Sequence, residues 1–261
     1  FDDRGIDPKR FGMQSTKLNT GLAMPVGDAP PDAGKSALLA WDPVQQRAAW
    51  SVPTPGLWNG GTMTTDGGLV FQGQSDGRFN AYDAATGGQL WSFDAQMGIT
   101  GAPITFEAGG QQYISVVVGW GGSAPAFFGS LAAQHGWQAR VHPHRLLTFV
   151  RGGRARLPDT PPPQQVKPVD DPAFVVDAGK AQSGGVLFAE RCIVCHGLGA
   201  VAAGYAPDLR ASALSLDATA FQSVVQGGGL EIAGMPRFEE LGAAELESLR
   251  HYLRARARGA P

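Results

Sequence analysis

Cysteine is nearly missing. The 261 residues hold two, at positions 192 and 195, so no disulfide framework spans the chain and the chemistry of this pair is local. Long apolar runs are missing too. No stretch reaches the roughly 18 residues that a membrane-spanning helix needs, and residues 1–10 have neither the basic start nor the apolar centre of a secretory signal. Nor does one sign of charge dominate. Against 23 Asp and Glu stand 21 Lys and Arg, a net charge of −2. That balance excludes the basic field that would hold nucleic acid or an anionic membrane surface. Glycine and proline, at 37 and 19, are plentiful instead. They call for many tight turns, as a sheet-rich fold requires.

The length suits two domains. An internal repeat organises the first. Residues 40–50, AWDPVQQRAAW, and 81–91, AYDAATGGQLW, share Ala, Asp and Trp at their first, third and last positions, at an offset of 41 residues from Ala40 to Ala81. One propeller blade typically takes about 40–50 residues. Each copy reads as a strand, a turn opened by Asp and a strand closed by Trp. Between the copies, residues 67–73 and 75–82 have hairpin grammar; residues 112–119 and 146–150 read as further strands. An antiparallel sandwich is the rival arrangement.

From Arg151 the grammar changes. Six prolines between Pro158 and Pro172 mark residues 151–173 as a semi-extended linker. Helical spacing then predicts helices over 181–190, 219–226 and 243–257, the last with Leu246, Leu249, Tyr252 and Leu253 on one apolar stripe.

Cys192-Ile193-Val194-Cys195-His196 is the C-x-x-C-H haem-attachment pattern. Two thiols three residues apart at a helix start reach the two vinyl groups of one porphyrin edge, and the next residue sets an imidazole under the iron. Zinc and a redox dithiol are the competitors. Zinc usually needs four protein ligands and finds no second pair nearby, and the dithiol lacks its βαβ context. A sixth ligand belongs downstream. Met235, in Gly-Met-Pro, is the last methionine and follows His196 by 39 residues; the alternative is a Met that fills a core gap. Pro207 is a candidate acceptor for the His196 N–H, or a plain turn proline. In motif order, residues 174–261 resemble the class I cytochrome c family: a first helix ending in the Cys-x-x-Cys-His motif, then Pro-x-Leu, Gly-Met-Pro and a last helix. The resemblance implies an all-α fold in which first and last helices cross, with Gly184, Gly185 and Phe188 on one side and Tyr252 on the other.

Residues 81–91 are similar to the tryptophan-docking motif of the eight-bladed quinoprotein alcohol dehydrogenases, as are Trp58-Asn59-Gly60-Gly61-Thr62, the Gly73–Gly77 turn and Val118-Gly119-Trp120-Gly121-Gly122. A propeller, a proline-bearing linker and a C-terminal cytochrome together resemble the quinohaemoprotein alcohol dehydrogenases. This implies a multi-domain chain: all-β blades over 1–150, the linker, and the cytochrome over 174–261. It implies an enzyme in which pyrroloquinoline quinone (PQQ) with Ca²⁺ oxidises a small primary alcohol and passes electrons singly to covalent haem c. The acceptor would be a small copper protein, a cytochrome or a quinone, and the compartment the periplasm. Trp58, Asn59, Trp120 and Gly121 would lie near the quinone, with blade packing the alternative for both tryptophans. An electron carrier without quinone catalysis is the competing function.

The departures are as informative. Eight blades need well over 300 residues at the usual blade length. The resemblance puts the catalytic Asp, an adjacent-cysteine disulfide, the quinone-binding Lys and most calcium ligands in earlier blades, so no catalytic residue is assigned here. Asp2, Asp3 and Asp7 read as solvated surface, and so do His135, His142 and His144. The sequence reads as the C-terminal portion of a longer protein.

Overall fold

The computed structural model describes residues 36–56, 58–120, 144–160, 166–201 and 206–259. They fall into two units, a β unit within 36–160 and a helical unit within 166–259.

The β unit holds three antiparallel sheets in chain order. Strands β1 (Ser36–Asp42) and β2 (Arg47–Thr54) form the first. The second is a meander of β3 (Thr62–Thr64), β4 (Leu69–Gly73), β5 (Arg78–Asp83) and β6 (Gln89–Asp94). The third joins β7 (Ile104–Ala108), β8 (Gln111–Val118) and β9 (Arg145–Val150). The repeat explains the turns. Asp42 Oδ1 accepts the N–H groups of Val44 and Gln45 at 2.9 and 3.0 Å. Asp83, at the same point of its copy, takes those of Ala85 and Thr86 at 2.9 and 2.8 Å.

The tryptophans sit inside β2 and β6 rather than closing them. Trp50 reaches across to the next sheet, where its Nε1 donates to Ala84 O at 2.9 Å. Its ring covers Gly87, on which a Cβ would stand 2.7 Å from the indole and whose φ is +74°. Only glycine suits that position on both counts. The Trp of one copy thus docks on the turn of the next. Trp91 meets Phe149 of the third sheet edge-on, with ring centroids 5.4 Å apart.

The core follows the same order. Leu38, Val70 and Tyr82 are buried between the first and second sheets, and Phe79, Met97, Ile99, Val116 and Val118 between the second and third. Face-to-face stacking of successive sheets is the propeller arrangement and rules out a two-sheet sandwich. At the sheet ends, Ile99 N–H donates to Gln74 O (2.8 Å) and Gly119 N–H to Gly98 O (2.9 Å).

The helical unit contains α1 (Ala178–Arg191), α2 (Ile193–His196), α3 (Ala218–Val225) and α4 (Ala243–Ala257). α4 has its expected bounds. α1 starts three residues earlier than its apolar spacing suggests, because the Asp177 carboxylate caps it by accepting Lys180 N–H at 2.8 Å. Asp217 caps α3 through the N–H groups of Thr219 and Ala220. α1 and α4 cross as the family resemblance implies. A Cβ on Gly184 would lie 2.0 Å from Ser248 O, so the backbones touch there, and Phe188 packs on Tyr252 with ring centroids 5.1 Å apart. Around this crossing gather Phe221, Phe238, Leu241 and Leu249, each worth about 1.5–3 kcal/mol of burial.

On α4 the side chains of Arg250, His251, Arg254 and Arg256 are all buried.

Candidate haem site

The site grows out of the end of α1. Cys192 closes that helix, its N–H donating to Phe188 O at 2.8 Å. It also opens α2, where the N–H groups of Cys195 and His196 return to Cys192 O at 3.2 and 2.9 Å. The two cysteines are therefore one tight turn apart. Gly197 then reverses the chain at φ +73°. Burial pushes the Cys192 thiol up to about 12, reinforced by the neighbouring Cys195 and opposed by Arg191. A thiol held protonated is a poor nucleophile for disulfide exchange, which counts against the redox-dithiol alternative.

His196 is 8% exposed. Burial pulls its pKa down, against the smaller opposing pull of the Pro207 carbonyl and the Asp208 carboxylate, so the ring is held neutral. Nδ1 lies 3.4 Å from Pro207 O, longer than an ordinary N–H···O bond. With the proton on Nδ1, the lone pair of Nε2 faces away from that carbonyl, in the state a metal ligand requires. Asp208 supports the Pro207 loop by accepting Arg210 N–H at 3.0 Å and its guanidinium at 2.8 Å.

Met235 stands on a turn tied by its N–H to Leu230 O (3.2 Å) and by Gly234 at φ +92°. It packs against the same apolar cluster as Cys192 and Leu209. A neutral imidazole with Nδ1 directed at a carbonyl, a cysteine pair on one turn and a thioether on a shared apolar cluster fit a covalent haem held by His and Met. Among the described residues no three His, Cys, Asp or Glu gather, so a zinc site has no donor set there.

The propeller residues behave differently. Asn59 has its side chain engaged within the protein: Nδ2 donates to Ser36 Oγ (2.9 Å), Thr54 Oγ1 (3.1 Å) and Pro55 O (2.8 Å), and Oδ1 accepts Ser75 N–H (2.9 Å). Trp120 is 3% exposed and lies flat on Gly98, where a Cβ would be 1.9 Å from its Nε1. That same Cβ would stand 2.5 Å from Ser75 O. Asn59 and Trp120 thus meet around fully buried Ser75. Trp58 is 40% exposed. Gly121, the three N-terminal aspartates, His135 and His142 lie outside the described residues; His144 is exposed.

Sequence reasoning missed Ser75, Gly98 and the buried arginines of α4. The Gly73–Gly77 turn was a signal for Ser75 only as a turn. No pattern marks an arginine as buried.

Comparison with known proteins finds a match in each unit. Residues 32–114 match the family described as "Glucose/ethanol/alcohol dehydrogenase, beta-propeller domain". Residues 179–253 match "Cytochrome C oxidase, cbb3-type, subunit III". The "Quinohemoprotein alcohol dehydrogenase ADH IIB" of Pseudomonas putida is 44% identical over 88% of this chain and 33% of its own length. Two solved structures are similar. Quinohemoprotein alcohol dehydrogenase ADHIIG from Pseudomonas putida HK5 has TM-score 0.71 at 38% identity, over 86% of this chain and 32% of that one. The quinohemoprotein alcohol dehydrogenase of Comamonas testosteroni has TM-score 0.70 at 34% identity, over 99% and 37%. Fold and matches are those of a quinoprotein β-propeller segment followed by a c-type cytochrome domain. The chain corresponds to the C-terminal part of the quinohaemoprotein alcohol dehydrogenases, and spans about a third of the length of the curated relatives it matches.

Proposed function

We propose that this chain is the electron-delivering end of a PQQ-dependent alcohol dehydrogenase. The observation that carries the reading is the buried His196, its Nδ1 3.4 Å from Pro207 O, beside a cysteine pair on a helical unit that follows a quinoprotein propeller segment. Cys192 and Cys195 would hold the porphyrin through thioethers, His196 and Met235 would supply the imidazole and thioether ligands to its iron, and Pro207 would orient the imidazole. The haem supplies one-electron transfer, with His/Met ligation favouring the reduced state relative to bis-His. The apolar cluster under Cys192 and Met235 keeps water from that site.

In the propeller, Asn59 and Trp120 brace the Ser75 turn, and Trp58 lies against the quinone. The substrate is a small primary alcohol, oxidised by PQQ with Ca²⁺ held by blades beyond those described. The acceptor is a small copper protein, a cytochrome or a quinone. Covalent haem attachment suits the periplasm, and among the described residues no helix is long and apolar enough to cross a membrane.

Two measurements test this. A haem stain should survive denaturing electrophoresis of matured protein. A full-length form loaded with PQQ and Ca²⁺ should reduce a dye with ethanol. The engaged side chain of Asn59 favours the competing function, an electron carrier without quinone catalysis, and inactivity toward every primary alcohol would establish it. Met235→Ala should remove the weak far-red charge-transfer band of the ferric protein and lower its potential; an unchanged spectrum moves the sixth ligand elsewhere.

A further inference from the structure

Arg254 is the least expected side chain in the helical unit. It sits on the last helix with 0% exposure. Its Nε is buried and makes no hydrogen bond among the described residues. No carboxylate hydrogen-bonds its guanidinium there either; the group is spread over backbone carbonyls. Nη2 donates to Ser212 O at 2.9 Å and to Leu209 O at 3.3 Å, and Nη1 donates to Val169 O. Burial pulls its pKa below the ordinary arginine value. Isolating a cation from water is costly, so a chain that needed only packing here would be better served by Leu or Met.

The three carbonyls belong to two segments. Leu209 and Ser212 continue the loop whose Pro207 carbonyl faces His196 Nδ1. Val169 belongs to the linker end, and its own N–H donates to Arg210 O at 2.9 Å. The linker end and the His196 loop are therefore clamped together, with the guanidinium fork at the centre. Further along α4, Arg258 extends the strap by pairing with Asp170 (2.9 Å) and donating to the carbonyls of Asp171 and Phe174 at 2.9 Å each. Arg250 takes Ser215 O and Leu216 O; among the described residues neither Arg250 nor Arg258 hydrogen-bonds residues 207–212. A planar guanidinium spans three separated acceptors; an ammonium of equal charge does not.

We infer that Arg254 is a positioning residue for the axial histidine: it sets the Pro207 carbonyl against His196 Nδ1 and ties that contact to the last residues of the linker. The inference rests on the reading of His196 as an iron ligand. A hydrogen bond donated by Nδ1–H to a carbonyl makes the imidazole a stronger ligand through Nε2 and favours ferric iron. Loosening the clamp therefore weakens that donation and raises the haem potential.

The test uses the matured, haem-bearing full chain. Arg254→Lys keeps the charge and loses the fork. Covalent haem and the far-red band should persist, the His196 ring N–H should exchange with solvent about tenfold faster in the reduced protein, the loss of roughly one hydrogen bond, and the potential should rise. Val169→Pro removes the N–H that holds Arg210 O, fixes the local φ and keeps the carbonyl that Arg254 reaches, and should shift both readouts the same way by less. Arg258→Gln should leave both in place. A lower melting temperature for Arg254→Lys with unchanged exchange and potential would reduce Arg254 to a packing role. So would an Arg258→Gln shift as large as that of Arg254→Lys. If Arg254→Lys fails to mature, unchanged exchange and potential in Val169→Pro overturn the inference. Absence of haem from the unaltered chain would sink the ligand reading instead.

Discussion

The β unit and the helical unit solve the same problem by different means. In the β unit the polar device that repeats is local. Asp42 and Asp83 satisfy N–H groups two and three residues on, and Trp50 needs only the next turn to dock. The second sheet repeats the first sheet's device, and large apolar residues stay exposed on the first and third sheets, Trp41 at 56%, Ile104 at 60% and Leu146 at 69%. The helical unit has short helices, few regular loops and a buried motif. Its loops are held from a distance by arginines on α4, Arg250 reaching Ser215 and Arg256 reaching Gly199 O at 3.1 Å. A modular sheet array stabilises itself by repetition, whereas a small domain built around a prosthetic group must anchor irregular loops one at a time.

Removing the thiols should separate the two units most sharply. Cys192→Ala with Cys195→Ala should abolish covalent haem and the Soret band and strip the helical unit of most of its far-ultraviolet helical signal. All six tryptophans lie at or before position 137, so tryptophan fluorescence should still report an intact β unit. A simultaneous loss of both signals would show that the units fold as one.

Glycine substitutions come next. Gly184→Ala pushes a methyl into Ser248 O and should destabilise the helical unit by about 3 kcal/mol, read from Soret melting. Gly98→Ala forces the same conflict between Trp120 and Ser75 O and should cost the β unit about as much, read from fluorescence. Equal effects of either variant on both probes would erase the comparison.

Trp50→Ala tests the modular device. Loss of the half-buried indole and its bond to Ala84 should cost about 2 kcal/mol, confined to the β unit.

Acid should act more weakly on both. Hydrogen bonds from the Thr86 hydroxyl and N–H depress Asp83, and the Lys180 N–H depresses Asp177. A carboxyl whose folded pKa is depressed contributes stability above its unfolded value near 4 and loses it as the pH falls through the folded value. Asp177→Asn keeps the capping acceptor and removes the titration. The acid limb of the Soret melt should flatten below about pH 4, with a small loss of stability at pH 7 where the carboxylate's contribution is fully present; an unaltered limb would assign acid unfolding to other carboxylates.

Much of this was legible without coordinates. The 41-residue offset revealed the sheet repeat because a blade is a local unit whose turn chemistry recurs. Cys192, Cys195 and His196 were legible because thioether attachment needs all three within five residues, and α4 because its apolar stripe has helical period. Docking of Trp50 on Gly87, burial of Asn59 around Ser75 and the closeness of α1 to α4 at Gly184 were decided by packing between segments far apart in the chain. Arg254 shows the limit most clearly. Periodicity puts it on a polar face, and only the tertiary structure wraps that face with the linker and the His196 loop, whose irregular carbonyls have no helix or sheet partner and draw a buried cation inward.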